Sequence, residues 1–179
     1  MSAKDRAGIE AVKDILASAY RIRDLGEVGD FLEMRITRGR TAGTLTLKTS
    51  GCARALVEAH GLGRANSATT PMAPGTALTR TGAGLLAEGG PAFAELVGGL
   101  LYLAATTCPN IAFSARVLSR FMHAPGEGHW RAAKQVLRYL AGTPDLGLCF
   151  GGGDGLEACC DAEFASDQET LQSTTGLLL

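Results

Sequence analysis

PAFAELVGGLLYLAATTCPNIAFSARVLSRFMHAPGEGHWRAAKQVLRYLAG, residues 91–142, decides the fold class, because three helical periods follow one another in it with only short breaks. Pro91 stands where a first helical residue is well served by a fixed φ and a missing N–H. Phe93, Leu96, Val97, Leu100 and Leu101 then fall on one broad apolar face. Pro109-Asn110 breaks this helix and starts the next, in which Ile111, Val117, Leu118 and Phe121 recur at near-helical spacing until Pro125-Gly126. The last helix, about Glu127 to Ala141, sets Trp130, Ala133, Leu137 and Leu140 on one side and stops at Gly142. Helices in series, each with an apolar face that needs covering, predict a helical subdomain.

Upstream, Ile9, Val12, Leu16 and Ala19 recur at helical spacing between Lys4 and Ile22, with Ile15 and Tyr20 widening the stripe and Asp24-Leu25-Gly26 supplying a stop. Phe31 to Ile36 and Thr44 to Leu47 read as short strands of a hairpin, joined by a polar turn with Gly39 and Gly43. Ala53, Leu56, Val57 and His60, closed by Gly61, suggest a further helix. The stretch from Arg64 to Gly90, rich in Thr, Ala, Gly and Pro, reads as an extended connection and the natural internal boundary. Downstream of Gly142 the pattern turns to strands. Leu146 to Phe150 and Leu156 to Asp161 flank Gly151-Gly152-Gly153-Asp154-Gly155, which predicts a hairpin turn, and Thr174 to Leu179 opens another strand. That strand has no stop signal or polar tail after it, so a chain cut from a longer one is expected. The fold class read from this order is α+β.

Bulk properties set outer limits on function. A formal net charge of -1 means that nucleic acid would be met by local clusters of Lys and Arg and not by a basic field over the whole molecule. Cys52, Cys108, Cys149, Cys159 and Cys160 are odd in number and contain no C-x-x-C element, which argues against a zinc site or a disulfide framework. Met-Ser-Ala-Lys-Asp-Arg lacks the apolar run of a secretory signal. The most apolar stretch, Phe93 to Ala105, is too short for a bilayer and carries Glu95. An intracellular protein, cytoplasmic or nuclear and without a membrane partner, is expected.

Several strings in this order resemble those of copia-type LTR retrotransposon Pol polyproteins. Asp24-Leu25-Gly26-Glu27 and Phe31-Leu32 resemble D-L-G-E and F-L-G-I, and Thr70-Pro71-Met72 resembles T-P-M. Val97-Gly98-Gly99-Leu100-Leu101-Tyr102-Leu103 is similar to V-G-S-L-L-Y-L, and Thr107-Cys108-Pro109-Asn110-Ile111 to T-R-P-D-I. Leu118-Ser119-Arg120-Phe121-Met122, His129-Trp130, Leu137-Arg138-Tyr139-Leu140 and Gly142-Thr143 match outright. Asp161-Ala162-Glu163-Phe164-Ala165 is similar to D-A-D-W-A, and Ser173-Thr174-Thr175-Gly176 to S-T-x-G. The departures are Glu33 for the Gly of F-L-G-I, Cys108 for Arg, Asn110 for Asp, and Leu171-Gln172 for a basic pair.

The resemblance implies the end of a reverse transcriptase palm over 1–48, a helical thumb and connection over 49–142, and the first strands of a ribonuclease H-like sheet over 143–179. The parent activity it implies is RNA-directed DNA synthesis with degradation of the RNA strand. No Y-x-D-D occurs in this chain, so it is expected to be inactive alone as a polymerase. Asp161 falls on the first metal-binding Asp of the ribonuclease H site, catalytic only in an intact parent. There Mg or Mn needs further carboxylates beyond Leu179, and the stretch by itself is expected to hold no cofactor. On spacing alone Asp161 is a solvated strand-end residue, and Glu163 and Asp167 do not rebuild the site.

Two clusters are candidates for weak binding of an RNA–DNA hybrid or template–primer duplex. Arg131, Lys134 and Arg138 are spaced along one stripe of the last helix beside His129 and Trp130, and Arg35, Arg38 and Arg40 surround the first hairpin. Each stripe also reads as an ordinary solvated face, with Trp130 in the core. Cys159-Cys160 reads as strand packing and His60 as a helix-end residue. A non-specific nucleic-acid-binding module and a host-retained interaction domain stay open as alternatives, as does the oligomeric state.

Overall fold

The computed structural model describes residues 6–76, 78–79, 90–151, 159–163 and 173–178. Helix α1, Arg6–Ala19, ends at the residue that closes its apolar stripe. The stripe itself is uncovered: Ile15 and Tyr20 are 66% and 68% exposed, and Val12 and Leu16 are exposed as well. A Lys13 ammonium held by Glu10 at 2.9 Å and by Asp24 at 2.8 Å folds the following segment back on the helix.

Strands β1 (Asp30–Phe31), β2 (Met34–Gly39) and β3 (Thr44–Lys48) form an antiparallel meander, and α2 (Ser50–Ala59) follows directly. The β1–β2 turn places Leu32 at φ 50° and Glu33 at φ 62°, so two side-chain-bearing residues occupy the left-handed region that glycine fills without steric cost. The Tyr102 hydroxyl donates to the Leu32 carbonyl and pins this turn from the far side of the fold.

Helix α3 (Gly90–Thr106), a single 3-10 turn (Pro109–Ile111), α4 (Ala112–Ser119) and α5 (Glu127–Gly142) realise the helical series expected from residues 91–142. Phe93, Leu96, Val97 and Leu100 of α3 are fully buried, as are Ile111, Leu118 and Leu137, and α2 adds Ala53 and Val57 to the same core. Each buried Leu, Ile or Phe contributes about 1.5–3 kcal/mol relative to exposure, which makes this cluster the stabilising centre of the molecule. Cys108 lies inside it, 4% exposed, as a small apolar residue. Asn110 donates to the Tyr139 hydroxyl at 2.7 Å and ties the 3-10 turn to α5.

The connection after α2 is not a loose boundary over its described part. The Arg138 carbonyl accepts from Ala68 N–H at 3.2 Å, Arg138 Nε donates to the Asn66 carbonyl at 2.6 Å, and Gln135 donates to that of Thr70. The α5 surface thus satisfies backbone groups of an irregular segment, and Met72 and Leu78 pack on the core.

The expected hairpin between Leu146–Phe150 and Leu156–Asp161 is corrected by the structure. Strand β4, Leu148–Phe150, pairs with β3 and completes a sheet of order β1-β2-β3-β4, whereas β5 (Cys159–Glu163) pairs with β6 (Thr174–Leu178) in a separate two-stranded sheet. The register shows what this pairing brings: Leu45 stands opposite Phe150 and Leu47 opposite Leu148, so β4 extends the apolar side of the β2–β3 hairpin. That face carries Met34, Ile36, Leu45, Leu47 and Leu148, all half-buried, with Phe150 and Arg38 exposed, while Arg35, Thr37, Thr46 and Lys48 occupy the other. Gly152 to Ala158, and with them the predicted turn, lie outside the described residues. Cys159 and Cys160, expected to pack, are both exposed.

Candidate nucleic-acid interface

The N-terminus of α5 is set by a reciprocal contact that the sequence did not announce. Gly126 enters the helix in extended conformation and its N–H donates to His129 Nδ1 at 2.7 Å, so that this nitrogen is the acceptor. The imidazole is 1% exposed and stacks on Phe121 with centroids 4.1 Å apart. His129 is therefore a capping and core residue, and not a member of the exposed stripe beside it.

With Ala132, Ala133, Val136, Leu137 and Leu140 buried on one side of α5, helical geometry leaves Arg131, Lys134 and Arg138 exposed along another. Arg131 and Lys134 make no ion pair among the described residues. Arg138 is partly committed, since its Nε holds the Asn66 carbonyl. The structure thus brings two uncommitted cations and one shared one onto a single edge of a rigid helix.

The arginines of the first hairpin do not gather in the same way. Arg35 and Arg38 are separated by three positions on β2 and fall on opposite faces of the sheet. Arg35 is paired with Asp30 at 3.2 Å and Arg40 with Glu27, so two of the three charges are already countered. The polar face instead forms part of a groove of about 910 Å³ lined by Arg35, Lys48 and Arg54 together with Asp30, Glu33 and Asp145. Sequence reasoning missed Lys48 and Arg54. The partner of Arg54, Asp145 at 2.8 and 3.0 Å, lies 91 residues away, and no local pattern could join them.

Behind this groove, partial burial first and the Glu33 carboxylate second push the Cys52 thiol above its ordinary range, and burial does the same to the Tyr102 hydroxyl. Asp161 stands opposite Gly176 in the β5–β6 ladder. Positions 161 and 163 are both on β5, while Asp167 lies outside the described residues. Among the described residues no group of three His, Cys, Asp or Glu side chains could hold a metal ion. Nor, among the same residues, is any helix long and apolar enough to cross a membrane.

No protein-family model matches the chain. No solved structure matches it either. Among curated proteins the chain is 35% identical over 181 residues to the retrovirus-related Pol polyprotein from transposon TNT 1-94 of Nicotiana tabacum, a match covering 98% of this chain and 14% of that protein. It is 34% identical over 168 residues to the retrovirus-related Pol polyprotein from transposon RE1 of Arabidopsis thaliana, covering 93% of this chain and 11% of the relative. A 30% identity over 169 residues links it to the putative transposon Ty5-1 protein of Saccharomyces cerevisiae, over 93% of this chain and 54% of that one. The chain belongs to the family of retrovirus-related Pol polyproteins of transposons. It spans 14% and 11% of the length of the tobacco and Arabidopsis relatives, a small part of each.

Proposed function

We propose that this stretch serves as a nucleic-acid-holding part of an RNA-directed DNA polymerase and ribonuclease H polyprotein, and that it catalyses neither reaction by itself. In this reading 1–48 close a palm, 49–142 form thumb and connection, and 143–179 open a ribonuclease H-like sheet, with β4 lent back to the first of these. The observation that carries the proposal is the edge of α5, where Arg131 and Lys134 are exposed, lack ion-pair partners among the described residues, and are fixed by a helix whose opposite side is fully packed. A packed helix sets the backbone positions of these cations in advance, so that only their side chains are ordered on meeting phosphate, and the contact is sequence-independent and salt-sensitive.

Fluorescence anisotropy of a labelled RNA–DNA hybrid across a salt series tests it. Weak binding is expected, with a salt slope that drops by about two when Arg131→Ala and Lys134→Ala are combined, since each released phosphate contact removes roughly one unit. A slope unchanged by the double substitution would place the contact elsewhere. Primer extension and hybrid cleavage with Mg or Mn should both give no product, because the sequence carries no Y-x-D-D and the resemblance puts the further carboxylates of the ribonuclease H site beyond Leu179. A host-retained interaction domain is the second reading, favoured by the exposed apolar residues of α1, Val12, Ile15, Leu16 and Tyr20.

A further inference from the structure

The β1–β2 connection is a loop of two residues, since Phe31 pairs with Met34 across it. In so short a loop a turn with positive φ at both central positions matches the twist of the strands, and pairs such as Asn-Gly adopt it most readily. Here the pair is Leu32-Glu33, at φ 50° and 62°, the only side-chain-bearing residues with positive φ among those described. The ladder does little to hold them there: β1 is two residues long, and the Asp30–Arg35 ion pair beside the turn has side chains 70% and 75% exposed. A hold from outside comes from α3, where the Tyr102 hydroxyl donates to the Leu32 carbonyl across 70 residues of chain. Under the turn, the Glu33 carboxylate lies 4.0 Å from the Cys52 thiol of α2.

We infer that residues 31–33 form a strap that Tyr102 latches shut over Cys52, so that the position of α3 decides whether the β1–β2 turn is closed or open. Phe31, Leu32 and Glu33 line the groove on the polar face of the sheet. Cys52 and Tyr102 line a smaller cleft of about 270 Å³ between α2 and α3, together with Leu56, Gly99 and Leu103. The strap is the partition between groove and cleft, and its release opens one into the other. Closure sets one hydrogen bond against two backbone conformations that Leu and Glu leave readily, which is the near-balance a two-state element needs. A shift of α3 that withdraws the Tyr102 hydroxyl lets both residues return to negative φ and uncovers the thiol.

Alkylation of the whole folded chain by iodoacetamide, followed by mass spectrometry, reads the strap. Trypsin puts Cys52 on a peptide of its own, 49–54, and Cys108 on another, 81–116, so the two rates are measured separately. Tyr102→Phe keeps the ring and removes the latch. Cys52 should then react roughly 2- to 10-fold faster, the factor that loss of one hydrogen bond allows. Cys108, 4% exposed in the core, should stay protected. Adding Leu32→Gly, which relieves the backbone and keeps the carbonyl, should bring the Cys52 rate back toward the wild-type value, and Leu32→Gly alone should slow it. An unchanged Cys52 rate in Tyr102→Phe overturns the latch. Cys52 and Cys108 rising together shows general loosening and overturns it as well. A Cys52 rate that Leu32→Gly leaves unchanged or raises, in either background, overturns the two-state turn, and the single variant decides this even if Tyr102→Phe fails to fold.

Discussion

Replacing Glu33 by Gly should stabilise the protein although it deletes a side chain. Glu33 adopts φ 62° directly after Leu32 at φ 50°, and a residue with a Cβ in the left-handed region costs about 1–2 kcal/mol relative to glycine there. Glycine also widens the unfolded ensemble, which takes back roughly 0.5–1 kcal/mol. The side chain itself offers little to lose, since its one recorded contact is with Cys52 Sγ at 4.0 Å. A net gain of about 0.5–1 kcal/mol follows, equivalent to roughly 1–4 °C in Tm for a chain of this size. Urea and thermal unfolding of Glu33→Gly and Glu33→Ala separate the causes, because alanine removes the same carboxylate and keeps the Cβ. Alanine should give no gain. Both variants should make the Cys52 thiol easier to alkylate, since both remove the carboxylate that helps to hold its pKa up. Equal stability of the glycine and alanine variants would refute the backbone argument, whatever their absolute Tm.

Leu137, with 0% exposure, sits where α5 meets the rest of the core, and Leu137→Ala should cost about 2–5 kcal/mol in urea denaturation. Gly147→Ala should detach β4, because a Cβ at this position collides with the Leu47 carbonyl oxygen. Faster amide exchange confined to 44–48 and 148–150 is the expected signature, with α3 and α5 unchanged. The Lys13–Asp24 clasp should have two pH limits. Asp24 is held below its ordinary 3.8 by the hydrogen bond from Lys13 and by Gly26 N–H, so its stabilising contribution is present above that value and lost as pH falls through the lowered one. Lys13 is raised above 10.5 chiefly by its hydrogen bond to Asp24, so its share is present below 10.5 and lost as pH rises through the raised value. The Gly26 amide shift in NMR should therefore move at the acid limit, and Asp24→Asn should remove that transition.

What could be read from the sequence and what could not divide along the range of the interaction. Helices α3 to α5 were legible because residues three and four apart report one face, and Phe93, Leu96, Leu137 and Leu140 are buried where that spacing put them. Strand pairing is a contact between distant segments, so β4 read equally well as the partner of its neighbour across a glycine run until Leu45 and Leu47 were seen to stand opposite Phe150 and Leu148. The same limit applies to the site. The stripe Arg131, Lys134 and Arg138 was visible as a spacing, but the commitment of Arg138 to the Asn66 carbonyl, the burial of His129 and the contact of Trp130 with Phe93 depend on segments 37 to 72 residues away or on packing that no period encodes. Amphipathicity, finally, says that a face is apolar and nothing about what covers it. Helix α1 has the pattern of a buried element and its stripe stands exposed, the apolar face of the four-stranded sheet is half-buried, and α5, with an equally ordinary pattern, is packed against α2, α3 and α4. Periodicity thus located the packed half of the molecule, and only the burial of its residues told it apart from the half whose apolar stripe stays exposed.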